Sequence, residues 1–112
     1  PPLVMDAARP SRLLFGTYRL YETTNGGNTW AAISGDLSKG SGAISAIGVA
    51  PGDVRTTYVG TSDGNVRVTT DGGASWRTAT GLPNRYVEDF AVDPGDARTA
   101  WVAFAGFGTG HV

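Results

Sequence analysis

Thr23-Thr24-Asn25-Gly26-Gly27-Asn28-Thr29-Trp30 is answered, 46 positions later, by Thr69-Thr70-Asp71-Gly72-Gly73-Ala74-Ser75-Trp76. An eight-residue phrase that returns at such an interval marks a repeat architecture, in which one unit cannot bury its apolar face alone. The match extends outward from both phrases. Ile44-Ser45-Ala46-Ile47-Gly48-Val49-Ala50-Pro51-Gly52-Asp53 aligns with Val87-Glu88-Asp89-Phe90-Ala91-Val92-Asp93-Pro94-Gly95-Asp96 at an offset of 43. The same offset carries Arg55-Thr56-Thr57-Tyr58-Val59 onto Arg98-Thr99-Ala100-Trp101-Val102, and Leu14-Phe15-Gly16-Thr17 corresponds to Tyr58-Val59-Gly60-Thr61.

Each copy divides into four short segments, A to D. The predicted strands are 2–6, 12–17, 19–24 and 29–34 in the first unit, and 44–50, 56–62, 65–70 and 75–80 in the second. The third has A at 87–92 and B at 99–104, and stops at Gly110-His111-Val112 where C should begin. Segment A is apolar almost without alternation. Its length, β-branched residues and Pro-Gly-Asp boundary predict a strand buried on both faces. No helix is expected, because no window longer than about ten residues escapes Gly or Pro while keeping apolar spacing at three and four.

Four-stranded sheets that cover their faces with copies of themselves are the blades of a β-propeller. The expected fold is therefore all-β, a partial β-propeller of about two and a half four-stranded antiparallel blades. Its expected divisions are 1–43, 44–86 and an incomplete 87–112. The outer faces of the first and last blades would lie open. Self-association, or the remaining blades of a longer parent, is the expected partner, with Phe90, Trp101 and Phe104 leading the contacts. The opening Pro1-Pro2, without a methionine, agrees with an excised piece.

Composition narrows the function classes. Seventeen Gly and six Pro with 17% charged residues fit many tight turns between short strands. Nine basic and ten acidic residues are interspersed along the chain, giving a net charge of −1. No basic stripe marks a nucleic-acid or anionic-membrane partner. No apolar run approaches the roughly 18 residues of a membrane span. Cysteine is absent, so disulfides and thiolate sites are excluded. The single histidine, His111, leaves little material for a histidine triad or a His-rich metal centre. Neither a metal nor a cofactor is expected. Asp71-Gly72-Gly73 lacks the spaced ligands of an EF-hand loop, and no helix follows Phe107-Gly108-Thr109-Gly110 to cradle a phosphate.

The two phrases resemble the Asp-box, Ser/Thr-x-Asp-x-Gly-x-x-Trp, of BNR-repeat β-propellers. That family includes sialidases, sortilin-type receptor domains, xyloglucanase-type glycoside hydrolases and bacterial proteins labelled glycosyl hydrolase. Ile33-Ser34-Gly35-Asp36-Leu37-Ser38 and Leu82-Pro83-Asn84-Arg85-Tyr86 strengthen the likeness to the bacterial group. The resemblance spans nearly the whole chain, is specific for fold, and implies an exported protein. It does not reach the sialidase active site, since no arginine cluster with a tyrosine–glutamate pair is visible.

The box residues have a physical task of their own. Asp71, and Asn25 in its place, can accept hydrogen bonds from backbone N–H groups in the hairpin joining C and D. Gly27 and Gly73 are expected at positive φ. Thr23 and Thr69 can add hydroxyl bonds, and Trp30 and Trp76 are expected to bury their rings while each indole N–H seeks an acceptor.

In a propeller the A–B and C–D turns share one side, while B–C turns and D–A links share the other. The copies differ most on that second side, and function concentrates on loops held by a rigid scaffold. The binding-face candidates are Tyr18, Arg19, Asp63, Asn65, Arg85, Tyr86 and Phe107. Their aromatic rings suit stacking on a sugar or packing against a protein. Glu88 and Asp89 replace Ser45 and Ala46 at the start of the third A strand. A glycosidase needs two carboxyl groups about 5–9.5 Å apart. Adjacent strand residues point to opposite faces, so neither can pair with the other. Asp6, on the first A strand, is the candidate partner from another blade. The first expectation is a non-catalytic binding scaffold for glycan or protein; the second is a piece of a glycoside hydrolase.

Overall fold

The computed structural model describes residues 1–106, and every regular element in them is a β-strand. A four-stranded antiparallel sheet is formed by β1 (Leu3–Asp6), β2 (Arg9–Gly16), β3 (Leu20–Thr23) and β4 (Ala31–Ala32). Its successor consists of β5 (Ile44–Val49), β6 (Thr57–Thr61), β7 (Val66–Thr69) and β8 (Arg77–Thr78), paired in chain order. β9 (Val87–Val92) and β10 (Ala100–Phe104) form a two-stranded third sheet.

Equivalent registers demonstrate the repeat. Leu3 pairs with Phe15, Ile47 with Val59, and Phe90 with Val102. Val4 pairs with Leu14, Gly48 with Tyr58, and Ala91 with Trp101. The first set faces the preceding sheet and the second faces the following one, because side chains alternate along a strand. The outermost strands, β4 and β8, have two residues each and are shorter than the segments predicted at 29–34 and 75–80. There the chain leaves the ladder early: Ile33 N–H still donates to Leu20 C=O, and Ala79 N–H to Val66 C=O, before the link departs.

The sheets stack face on face. Leu14, Leu20 and Leu37 of the first unit close a core with Ile44, Ile47 and Val59 of the second, all at most 7% exposed. A smaller core joins Ala46 and Val66 to Val87, with Phe90, Val102 and Phe104 packed against it. Close approach depends on Gly16 and Gly60. A Cβ on Gly16 would lie 2.5 Å from Ile44 Cγ2, and one on Gly60 would collide with Val87. A branched side chain thus seats where strand B of the preceding sheet has none.

Burial follows the number of neighbours. β5 is covered on both faces, as expected for strand A. β9 is not: Glu88, Asp89 and Ala91 are exposed, since among the described residues no sheet covers that face. Phe90 and Phe104, expected on the open face, instead turn inward. The Phe90 ring lies 5.9 Å from that of Tyr58, and Phe104 packs on the second core. Of the three, Trp101 alone is exposed, at 61%.

The box hairpins form as the sequence implies. Thr29 N–H donates to Asn25 Oδ1 at 3.0 Å, and Ser75 N–H to Asp71 Oδ1 at 2.9 Å. The hydroxyls of Thr23 and Thr69 each bridge the side chain two residues on and accept the N–H of Gly27 and Gly73. Those two glycines have φ of 99° and 97°. Each hairpin is also tied to its neighbouring A–B turn, Gly26 N–H to Ser11 C=O and Gly72 N–H to Arg55 C=O.

The tryptophans part company. Trp76 lies half-buried against the first core and donates from Nε1 to Ile33 C=O of the preceding sheet at 3.3 Å. Trp30, expected to be buried, is 42% exposed. It meets Phe15 edge-on at 6.5 Å, and among the described residues no sheet supplies the counterpart of Ile33. Burial of a box tryptophan is therefore a property of the sheet in front of it. Trp76→Ala should cost about 3 kcal/mol in denaturant unfolding and Trp30→Ala less than about 1 kcal/mol; equal costs would contradict this assignment.

Asp71 carries a pH signature that Asn25 lacks. The Ser75 hydroxyl, the Ser75 amide and the Thr69 hydroxyl favour its charged form and hold its pKa at about 2, against 3.8 ordinarily. Since the folded-state value is depressed, the contribution is complete above the unfolded value and is lost as pH falls from about 4 towards 2. In thermal unfolding between those pH values, Asp71→Asn should flatten the decline. An unchanged pH slope would show that the box carboxylate does not contribute.

Candidate functional site: the link-bearing face

The B–C turns and the D–A links assemble on the side opposite the boxes. Leu37 N–H donates to Tyr18 C=O at 3.0 Å, fastening the first D–A link to the first B–C turn. Asn65 in the second B–C turn is buried, at 7% exposure, and its Nδ2 donates to Leu37 C=O at 2.7 Å. Asp63 Oδ2 accepts from Lys39 N–H at 2.9 Å and from Ser41 N–H at 3.4 Å, while Oδ1 takes the Thr61 hydroxyl. Lys39 Nζ bonds to Asn84 Oδ1 in the next link. The first link is thus pinned to the second B–C turn, and Lys39 ties it to the second link.

That arrangement divides the sequence candidates into two groups. Asn65 is spent on the scaffold, since a buried amide must satisfy its donors internally. Asp63 is likewise occupied as a clamp. Tyr18 and Tyr86 stand out at 48% and 47% exposure, and Leu82 beside the second link is 40% exposed. The Arg19 guanidinium lies over the Tyr18 ring, 5.6 Å from its centroid, within cation–π range. The Ser38 hydroxyl and amide hold the Asp36 carboxyl below its ordinary range, with Arg19 a smaller influence. Arg85 is partly buried at the edge of this surface. Phe107 lies outside the described residues.

The clamp around Lys39 and Asn84 escaped the sequence reading. Both lie in links where the copies differ, so the repeat alignment gave them no counterpart. Their one signal was a polar residue in each link within reach of the other, which a linear sequence does not reveal.

The acidic candidates are not brought together in register. Asp89 pairs with Ala103 near the start of β9, whereas Asp6 pairs with Arg9 at the far end of β1. Asp6 is 1% exposed and accepts from Arg12 at 3.0 Å, Arg9 at 3.2 Å and Ala8 N–H at 3.0 Å. Burial pushes its carboxyl up, but the bonds from Arg12, Ala8 and Arg9 outweigh this and leave it below the ordinary value. Arg12 continues to Glu22 at 2.7 Å and Thr57 at 3.4 Å. The result is an ionic lock on the first A–B turn. In the later units Asp53 and Asp96 cap the same turn through Thr56 and Thr99.

The alternation expected to separate Glu88 from Asp89 is interrupted. Val87 opposes Phe104 and Asp89 opposes Ala103, so Glu88 has no cross-strand partner. Such a bulge re-aims a side chain. Ser45 occupies the equivalent bulge in β5 and turns its hydroxyl to Val87 C=O. Glu88 and Asp89 are both exposed, and Asp89 Oδ1 takes the N–H of Phe90.

Among the described residues, no three His, Cys, Asp or Glu side chains gather as a metal site. Nor is any helix there long and apolar enough to cross a membrane. A cleft of about 650 Å³, lined by Tyr58, Val68, Thr70, Ser75, Arg77 and Arg98, lies on the box side, away from Tyr18 and Tyr86.

Among solved structures, this chain is similar to an ancestral GH74 enzyme at a TM-score of 0.66 and 24% identity. The similarity covers 90% of this chain and 15% of that one. The sheets are blades of a β-propeller. No protein-family model and no curated protein sequence matches the chain.

Proposed function

We propose that this chain is a non-catalytic propeller segment whose link-bearing face binds an extended glycan. The observation that carries the reading is the pair of half-exposed rings, Tyr18 on the first B–C turn and Tyr86 on the second D–A link, on the side where Asp63 and Asn65 immobilise the first link. A tyrosine presents a flat apolar face and a polar edge, and its two side-chain torsions make it cheap to order on binding. Loops already fixed by the scaffold lower the ordering cost further. Arg19, Lys39 and Asn84 supply donors around the rings for sugar hydroxyls. A protein ligand could use the same rings, and that outcome belongs to the test.

The similarity to a GH74 enzyme favours a second reading, in which these blades form part of a glycoside hydrolase. Glu88 or Asp89 would then be one member of a carboxyl pair, completed by a blade beyond the described residues. Asp6 suits that role poorly, since Arg9 and Arg12 occupy its carboxylate.

Titration of the chain with a panel of plant and microbial oligosaccharides, followed by NMR, distinguishes the readings. Binding should perturb the amides of 17–19, 39–42 and 84–86. Tyr18→Ala and Tyr86→Ala should each weaken it about 5- to 10-fold, corresponding to roughly 1 kcal/mol per lost stacking contact. Absence of binding across the panel, or shifts confined to the box side, would remove the glycan reading. Cleavage of an oligosaccharide during the titration would favour the hydrolase.

A further inference from the structure

Among the described residues two faces of the stack lack a neighbour, and the inner junctions show what such faces contact. On blade 1, Leu3, Met5 and Phe15 occupy the register positions that Ile47, Val49 and Val59 hold on blade 2. Ile47 and Val59 are buried in the core between blades, and Val49 packs against it. Leu3 and Met5 are 60% and 58% exposed. Beside them an open groove of about 390 Å³ is lined by Phe15, Thr17, Tyr21 and Trp30. Single exposed apolar residues are ordinary, whereas a contiguous patch on one sheet face marks an interaction surface.

The opposite end has the complementary form. On blade 3, Trp101 takes the position of Leu14 and Tyr58, each of which meets the following blade. Ala103 takes the position of Gly16 and Gly60, and Ala91 that of Gly48, so each adds one methyl group that the inner junctions lack. This face therefore retains small residues around one large ring. The inner junctions always join a face of the blade 3 kind to a face of the blade 1 kind.

We infer that the chain self-associates head to tail, the blade 1 face of one copy seating on the blade 3 face of another, with Leu3 against Trp101. The junction follows the face order of the two inner ones, with Ala103 in the place of their glycine. It is heterologous, so successive copies close into a ring or extend as a filament. The occupant is a second copy because its two ends carry the matching faces. The glycan-binding reading is independent of this junction.

Opposite-end variants test it, using the full chain at concentrations from about 5 to 500 µM, spanning common affinities for such interfaces. Leu3→Glu disables the blade 1 face, and Trp101→Glu the blade 3 face. Both side chains are more than half exposed, so cooperative thermal unfolding of each variant should persist. Sedimentation equilibrium should show concentration-dependent association of the wild-type chain and a monomer for either variant alone. Mixed in equal amounts, the variants should give a heterodimer of twice the single-chain mass, because each retains the face the other lacks. A monomeric wild-type chain would overturn the inference. Dimerisation of either variant by itself, as an isologous contact requires, or a mixture that stays monomeric, would do so equally.

Discussion

Contact between blades depends on the missing side chains of Gly16 and Gly60. Ile44 and Val87, the first residues of successive inner strands, fill the space a Cβ would take. Without that approach, Leu14, Leu20 and Leu37 could not close over Ile47 and Val59. A sheet this small has too little apolar surface to be stable alone, so its stability lies largely in the junctions. The hydrophobic contribution is set by area removed from water, and here only a neighbouring sheet removes it.

The repeated hairpins at 23–30 and 69–76 serve the same end from the periphery. Their side chains and backbone largely satisfy one another within the turn, with one further bond to the A–B turn of the same blade. The tryptophan is the group that reaches another blade. Trp76 finds a carbonyl and a core on the preceding blade; Trp30, in a hairpin with the same bonding pattern, lies open. Similar hairpins have different consequences because stability in a stacked array is a nearest-neighbour property. On the opposite side Asp63, Asn65 and Lys39 join the units, and the diverged turns and links display Tyr18 and Tyr86.

Much of this was legible in the sequence because a repeat is its own alignment. The box fixed the hairpins, and the Pro-Gly-Asp turns fixed the ends of the inner strands. What could not be read concerned neighbours and backbone irregularities. The few local differences around Trp30 and Trp76 do not bear on their burial, and a bulge at Glu88 leaves no mark in an apolar pattern. Phe90 looked like a residue for an outer face, yet Gly48 opens the space that draws it inward. In the candidate site, the exposed tyrosines were foreseen from loop position. Asn65 and Asp63 were assigned to the binding surface because loop residues of their type are usually exposed. The structure instead spends both on holding the links.

If junctions carry the stability, the blade with two neighbours must be the hardest to open. Native-state hydrogen exchange of the amides tests this most directly, since local opening free energies are read strand by strand. The slowest exchange should fall in β5 and β6, sandwiched between blades 1 and 3, with β1–β2 and β9–β10 exchanging faster at their open faces. Equal protection in all three sheets, or slower exchange in a terminal blade than in β5 and β6, would contradict the account.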